Sequence, residues 1–255
     1  MCAIIGWAGP IPPNLLKQLY TAAEHRGRDS TGLAFRSADG QNLTVRQAVP
    51  AKHFVRTQEA HVSRANQAAL GLGHTRRASS KMPVDNHNAH PYIWESCVFA
   101  HNGFIKNWKV LRAELLEKAW LDNAERRTKY LETATTDSMV LGPFIEELNF
   151  SQIEGSMGLI WMEGAQLFCL RSAKELTAAK VCWQNGSGTK MATVVASTWE
   201  IVEEALAGLT GVEYTAEECE LAENVLYEIR QDGPSNEGAV LTGQHVTDKW
   251  SSKVD

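Results

Sequence analysis

Cys2 directly follows the initiator methionine, so removal of Met1 would leave a terminal cysteine bearing both a thiol and a free α-amino group. Such an amino group has a pKa near 8, well below that of lysine, and part of it is unprotonated near neutral pH. One residue can then supply nucleophile and general base together. On its own, Cys2 reads more simply as a small residue opening a buried strand. Other polar residues shift that balance. Thiol attack on an amide needs donors for the developing oxyanion, and the Asn102 side chain with the Gly103 N–H could provide them. Taken alone, Asn-Gly is more often a hairpin turn. An amino-acid substrate also needs a cation for its carboxylate, a role open to Arg76, and an anion for its ammonium, open to Asp137. Separately, these two read as a surface charge and part of a helix start.

These residues must be held by the elements around them. Residues 2–8 form an apolar run suited to a buried strand. After Pro12, Pro13 and Asn14, apolar residues recur at helical spacing (Leu15, Leu16, Leu19, Tyr20, Ala23), predicting an amphipathic helix over 14–25. The polar, glycine-bearing stretch 25–32 reads as a loop feeding a strand at 32–36. A strand at 43–48, a polar helix at 52–67, and strands at 69–75 and 96–101 follow. The last two end in His74-Thr75-Arg76 and His101-Asn102-Gly103. A helix with Trp108, Leu111, Leu115 and Ala119 on one face comes next, then another from about Thr136-Asp137 to Leu148. Strands are expected at 156–162, 166–170, 178–183, 192–196 and 224–229, with a helix at 198–208. From Gln231 the chain turns polar and reads as a loop or loosely held tail. Many strands among helices predict a layered mixed domain.

The 255 residues are 44% hydrophobic and 22% charged, which is ordinary globular composition. A net charge of −5 argues against a nucleic-acid groove. No run of 18 or more apolar residues suggests a membrane span, and the N-terminus lacks the basic head and apolar core of a signal peptide, so a cytoplasmic location is expected. The five cysteines are an odd number without close pairs, which disfavours a disulfide framework or a zinc site. Cys97, Cys169 and Cys182 sit in apolar surroundings and read as core residues. Gly186-Ser187-Gly188-Thr189-Lys190 lacks phosphate-loop spacing and reads as a turn.

Taken in order, Cys2-Ala3-Ile4-Ile5-Gly6, HRGRDSTG (25–32), GHTRRAS (73–79), NAHP (88–91), AHNGFIKN (100–107) and TDS (136–138) resemble the class II glutamine amidotransferases. The likeness is to the glutaminase domains of glucosamine-6-phosphate synthase and amidophosphoribosyltransferase, and it extends to about residue 230. The resemblance implies an α+β, four-layer αββα N-terminal-nucleophile hydrolase fold over 1–230, with a tail at 231–255. It implies Cys2 as nucleophile, with its own amino group as base. Asn102 and Gly103 would form the oxyanion hole, and Arg26 would hold the nucleophile's surroundings. Arg76, assisted by Ser79, would bind the glutamine α-carboxylate, and Asp137 its α-amino group. The implied reaction releases ammonia from L-glutamine through a γ-glutamyl thioester, without metal or organic cofactor. Ammonia would pass to a separate synthetase or ligase chain, with neither nucleic acid nor membrane as partner.

Two departures qualify the resemblance. Many relatives continue the arginine motif with an aromatic residue and Ala-Thr-His-Gly, whereas this chain reads Arg77-Ala78-Ser79-Ser80-Lys81. After residue 230 there is also no room for an ammonia-consuming domain. A γ-glutamyl amide hydrolase of the same fold is therefore an alternative, with the altered loop admitting a larger leaving group. A retired site kept as a binding or regulatory module is a second one.

Overall fold

The computed structural model describes residues 1–79, 82–186, 188–231 and 239–245. Thirteen strands form two antiparallel sheets. The first contains β1 (Ala3–Ala8), β2 (Ser30–Arg36), β3 (Asn42–Gln47), β4 (Leu70–Arg76), β9 (Thr177–Asn185), β10 (Gly188–Ala196) and β11 (Tyr214–Glu220), in the order β11-β9-β10-β1-β4-β2-β3. The second contains β5 (Tyr92–Trp94), β6 (Cys97–Ile105), β7 (Gly155–Glu163), β8 (Gln166–Ser172), β12 (Val225–Gln231) and β13 (Ala239–His245), in the order β13-β12-β8-β7-β6-β5.

Helices cover both outer faces. α1 (Leu15–Ala23), α2 (Ala51–Thr57), α3 (Glu59–Gln67) and α7 (Trp199–Ala207) pack on the first sheet, burying Leu15, Leu19, Phe54 and Ile201 against Ile5, Trp7 and Val194. α4 (Trp108–Leu121), α5 (Glu125–Glu132), a short 3-10 turn (Asp137–Val140) and α6 (Leu141–Glu147) cover the second sheet, against Phe99, Leu159 and Trp161. A third apolar cluster lies between the sheets, formed by Ile4, Ala8, Leu70, Leu72, Val98, Ala100, Ile160 and Val195. The result is the expected αββα stack.

Strand alternation explains the layers. On β1, Ala3, Ile5 and Trp7 face helices while Ile4 and Ala8 face the other sheet. The same parity places Leu70 and Leu72 of β4, and Val98 and Ala100 of β6, between the sheets. Carried to the strand ends, it directs Cys2, His74, Arg76 and Asn102 toward one end of that space.

Several elements differ from expectation. The single helix predicted over 52–67 is two, separated at Gln58, whose φ of −110° and ψ of 28° leave the helical region. β5, α5 and β11 were not anticipated. Residues 239–245, expected in the tail, add edge strand β13 to β12, whereas 232–238 and 246–255 lie outside the described residues. Asn102-Gly103 lies inside β6 rather than in a hairpin turn. Cys97 and Cys169 are buried, but Cys182 is only half-buried. No helix among the described residues is long and apolar enough to cross a membrane.

Candidate active site

Cys2 lies just ahead of β1, where Ala3 pairs with Thr75 of β4. This register brings the chain leaving β4 alongside the sulfur. The Arg77 N–H donates to Cys2 Sγ at 3.3 Å, and the thiol donates to the Arg77 carbonyl at 3.7 Å. Burial pushes the Cys2 thiol pKa up; the Arg77 N–H, the terminal ammonium and the Arg76 guanidinium act against that rise, and Asp137 adds to it.

Two of the expected site residues hold the backbone of Cys2. Arg26 Nε and Asn102 Nδ2 each donate to the Cys2 carbonyl at 3.1 Å. Arg26 also pairs with Glu175 at 3.1 Å. Its turn can sit this close because the next residue is glycine: a Cβ on Gly27 would lie 2.6–2.7 Å from backbone atoms of Arg76 and Thr75. Ser197, at the end of β10, completes the cradle. Its Oγ accepts from the Ile4 N–H at 2.8 Å and lies 3.5 Å from Asn102 Nδ2.

The other five expected residues line one cavity of about 330 Å³: Cys2, Arg76, Ser79, Gly103 and Asp137. Arg76 is buried, and one of its guanidinium nitrogens donates to the Pro83 carbonyl at 3.0 Å. Both Asp137 carboxylate oxygens accept backbone N–H groups, from Ile105 at 2.9 Å and from Ser138 at 3.0 Å. The carboxylate is thereby fixed to the strand carrying Gly103. Gly103 has φ of +153°, and any Cβ there would clash with the Ser156 carbonyl oxygen of β7, so only glycine fits comfortably. Ser79 is exposed, and its carbonyl accepts the Met82 N–H at 2.9 Å. Of the altered loop at 77–81, Ser80 and Lys81 lie outside the described residues.

Sequence reasoning assigned no role to three buried histidines of the same motifs. His74, His90 and His101 are buried; His90 and His101 line the cavity, and the His74 and His90 rings lie 4.2 Å apart. His101 Nδ1 meets Ser138 Oγ at 2.9 Å, tying the residue before Asn102 to the residue after Asp137. Burial lowers the pKa of all three, His74 to about 3, so they are neutral near neutral pH. The signal for His74 was strand parity, since it shares a face with Leu72 and Arg76. Asn88 of the NAHP motif is a bracket, accepting from Thr135 Oγ1 at 2.7 Å and donating to Asp85 at 2.8 Å. Among the described residues, no group of three or more His, Cys, Asp or Glu is placed to hold a metal.

This arrangement can perform thiol addition to an amide. It presents a sulfur, the Gly103 backbone, a guanidinium and a carboxylate around one cavity.

Comparison with known proteins points the same way. No protein-family model matches the chain. Among curated proteins it is similar to glutamine–fructose-6-phosphate aminotransferases [isomerizing]. The Bradyrhizobium diazoefficiens protein is 35% identical over 131 residues, covering 51% of this chain and 21% of the relative. That of Mycobacterium bovis is 40% identical over 121 residues, covering 45% and 19%. That of Shigella flexneri is 28% identical over 178 residues, covering 68% and 29%. The matches thus span about a fifth to three-tenths of these relatives' length. Among solved structures, the glutamine phosphoribosylpyrophosphate amidotransferase of B. subtilis superposes with a TM-score of 0.65 at 16% identity, covering 96% of this chain and 49% of that one. A glutamine aminotransferase class-II domain protein from Silicibacter pomeroyi gives 0.52 at 15% identity, covering 95% and 99%. The two-sheet α+β architecture is that of the N-terminal-nucleophile hydrolases.

Proposed function

We propose that this domain, which is of the class II glutamine amidotransferase type, hydrolyses L-glutamine to glutamate and ammonia at Cys2. The observation that carries the proposal is that Cys2, Arg76 and Asp137 line a single cavity. A zwitterion held by Arg76 at its carboxylate and Asp137 at its ammonium extends its side-chain amide toward the sulfur.

Removal of Met1 frees the Cys2 amino group, which takes the thiol proton as the sulfur attacks the amide carbon. The negative oxygen of the tetrahedral intermediate is stabilised by Asn102 Nδ2 and the Gly103 N–H. Asn102 Nδ2 donates to the Cys2 carbonyl here, so its second hydrogen, or a small rotation, serves the oxyanion. The amino group returns the proton to the leaving nitrogen, ammonia departs, and a γ-glutamyl thioester remains. Water, deprotonated by the same amine, attacks the thioester and releases glutamate. Arg26 acts as a positioning residue through the Cys2 carbonyl, and Ser79 assists Arg76 at the carboxylate.

In this reading the domain works as a glutaminase subunit in the cytoplasm, and its ammonia passes to a synthetase or ligase on a separate chain. A γ-glutamyl amide hydrolase is favoured by one observation. Arg77, exposed at the cavity wall, stands where many relatives carry an aromatic residue, and it suits a larger anionic leaving group. Turnover of free glutamine against γ-glutamyl amides separates the two. For either, protein lacking Met1 releases glutamate and Cys2→Ala does not; glutamate release by Cys2→Ala at the wild-type rate would reject the proposal.

A further inference from the structure

A second large cavity lies away from Cys2. It has a volume of about 790 Å³ and is built from the segment after β1, from α1, α2 and α3, and from the β9–β10 hairpin. Because Cys2 precedes β1 and this segment follows it, the two sites are separated by the strand's length, roughly 20 Å for six residues at ~3.3 Å each.

The floor is apolar and fixed. Ile11, Val55, Val62 and Trp183 line it, each less than a tenth exposed. The Trp183 indole donates to the Pro10 carbonyl at 2.9 Å, which locks its ring plane. Asn66 pins the wall by accepting from the Leu16 N–H at 3.0 Å and donating to the Pro12 carbonyl at 3.1 Å. The rim is cationic: Lys17, Lys52, Arg56 and Lys190 line the cavity against one acid, Glu59. Among the described residues, no ion pair joins any of these four cations to an acid. In a chain of net charge −5, this is a local reversal of sign.

We propose that this groove binds an organic phosphate with a flat apolar body, of the nucleoside di- or triphosphate class. Several cations around one mouth suit a multiply charged headgroup, which a single carboxylate would not satisfy. A rigid indole among aliphatic side chains suits an aromatic ring. The cavity lies in the range that takes a ligand of that size. Glu59, at the rim, favours a ligand that also offers hydroxyl or amino donors.

The test is a fluorescence titration of the whole chain with N-methylanthraniloyl-ADP, competed by ADP, inorganic pyrophosphate and adenosine. Saturable binding in the micromolar range is expected, with pyrophosphate and adenosine each at least tenfold weaker than ADP. The double variant Lys52→Glu/Arg56→Glu, which alters only exposed side chains, should weaken binding tenfold or more, and Lys17→Glu/Lys190→Glu should do likewise. Added salt should weaken binding in the wild type. Absence of saturable binding, pyrophosphate or adenosine competing as well as ADP, or binding indifferent to both charge reversals would overturn the proposal. Because no residue of this groove lines the Cys2 cavity, the outcome is independent of glutaminase activity.

Discussion

The space between the two sheets has two ends built from the same strands. At one, β1, β4 and β6 contribute Ala8, Leu70, Leu72 and Val98 to the apolar cluster that also holds Ile160 and Val195. At the other they end in Cys2, His74, Arg76 and Asn102. Backbone geometry and parity are unchanged across the boundary; only the side chains differ. The apolar end contributes stability through dispersion and loss of water contact. The polar end cannot, and is held instead by directed bonds to the Cys2 carbonyl, Asp137 and Ser138. One fold thus separates stability from chemistry along its strands.

That separation predicts opposite signatures for mutations at the two ends. Asn102→Ala removes a bond to the Cys2 carbonyl and, in the proposed mechanism, an oxyanion donor, and kcat for glutamate release should fall about 10²–10³-fold. Its unfolding midpoint should shift far less than that of a core variant. Leu72→Ala at the apolar end should do the reverse, costing about 2–5 kcal/mol in urea unfolding while kcat stays within a few-fold of wild type.

Acid sharpens the contrast. Folded His74 resists protonation down to about pH 3, whereas in the unfolded chain it titrates near 6.5. Below that value the unfolded chain takes up a proton that the folded chain refuses, so stability falls as pH falls. Between pH 6.5 and 4.5 this one residue should remove about 2 kcal/mol. Urea titrations at the two pH values should show a steeper loss for wild type than for His74→Asn. The smallest effect expected is from Arg76→Lys, which keeps the charge but loses the planar fork. It should raise KM for glutamine about tenfold with little change in kcat; an unchanged KM would remove Arg76 from the substrate.

Much of the fold was legible in the sequence, because buried strands and amphipathic helices announce themselves by period. β1, α1, β4 and β6 fall close to expectation for that reason. The elements missed carry no such signal. Among the described residues β11 (YTAEECE) pairs only with β9, and its side chains are mostly exposed, so a backbone ladder rather than burial defines it. α5 (ERRTKYLE) buries only Leu131, and β5 is three residues long. At the site, the clustering of Cys2, Gly103, Arg76, Ser79 and Asp137 came from motif order, and all five line the cavity. Arg26 and Asn102 instead bond to the Cys2 carbonyl, a placement only the β1–β4 register and the sheet packing reveal. The histidines went unassigned because a buried neutral imidazole leaves little mark in sequence; for His74 that mark was strand parity, and His90 lies in no strand.

The central claim is that the sulfur and amine of one terminal residue perform the chemistry. Acid-quenched intact mass during glutamine turnover tests it directly, comparing protein lacking Met1 with protein whose Met1 is retained by a blocked N-terminus. A γ-glutamyl adduct on the terminal cysteine of the processed form alone is the expected result; full-rate turnover by the Met1-retaining form, or an adduct elsewhere, would contradict it.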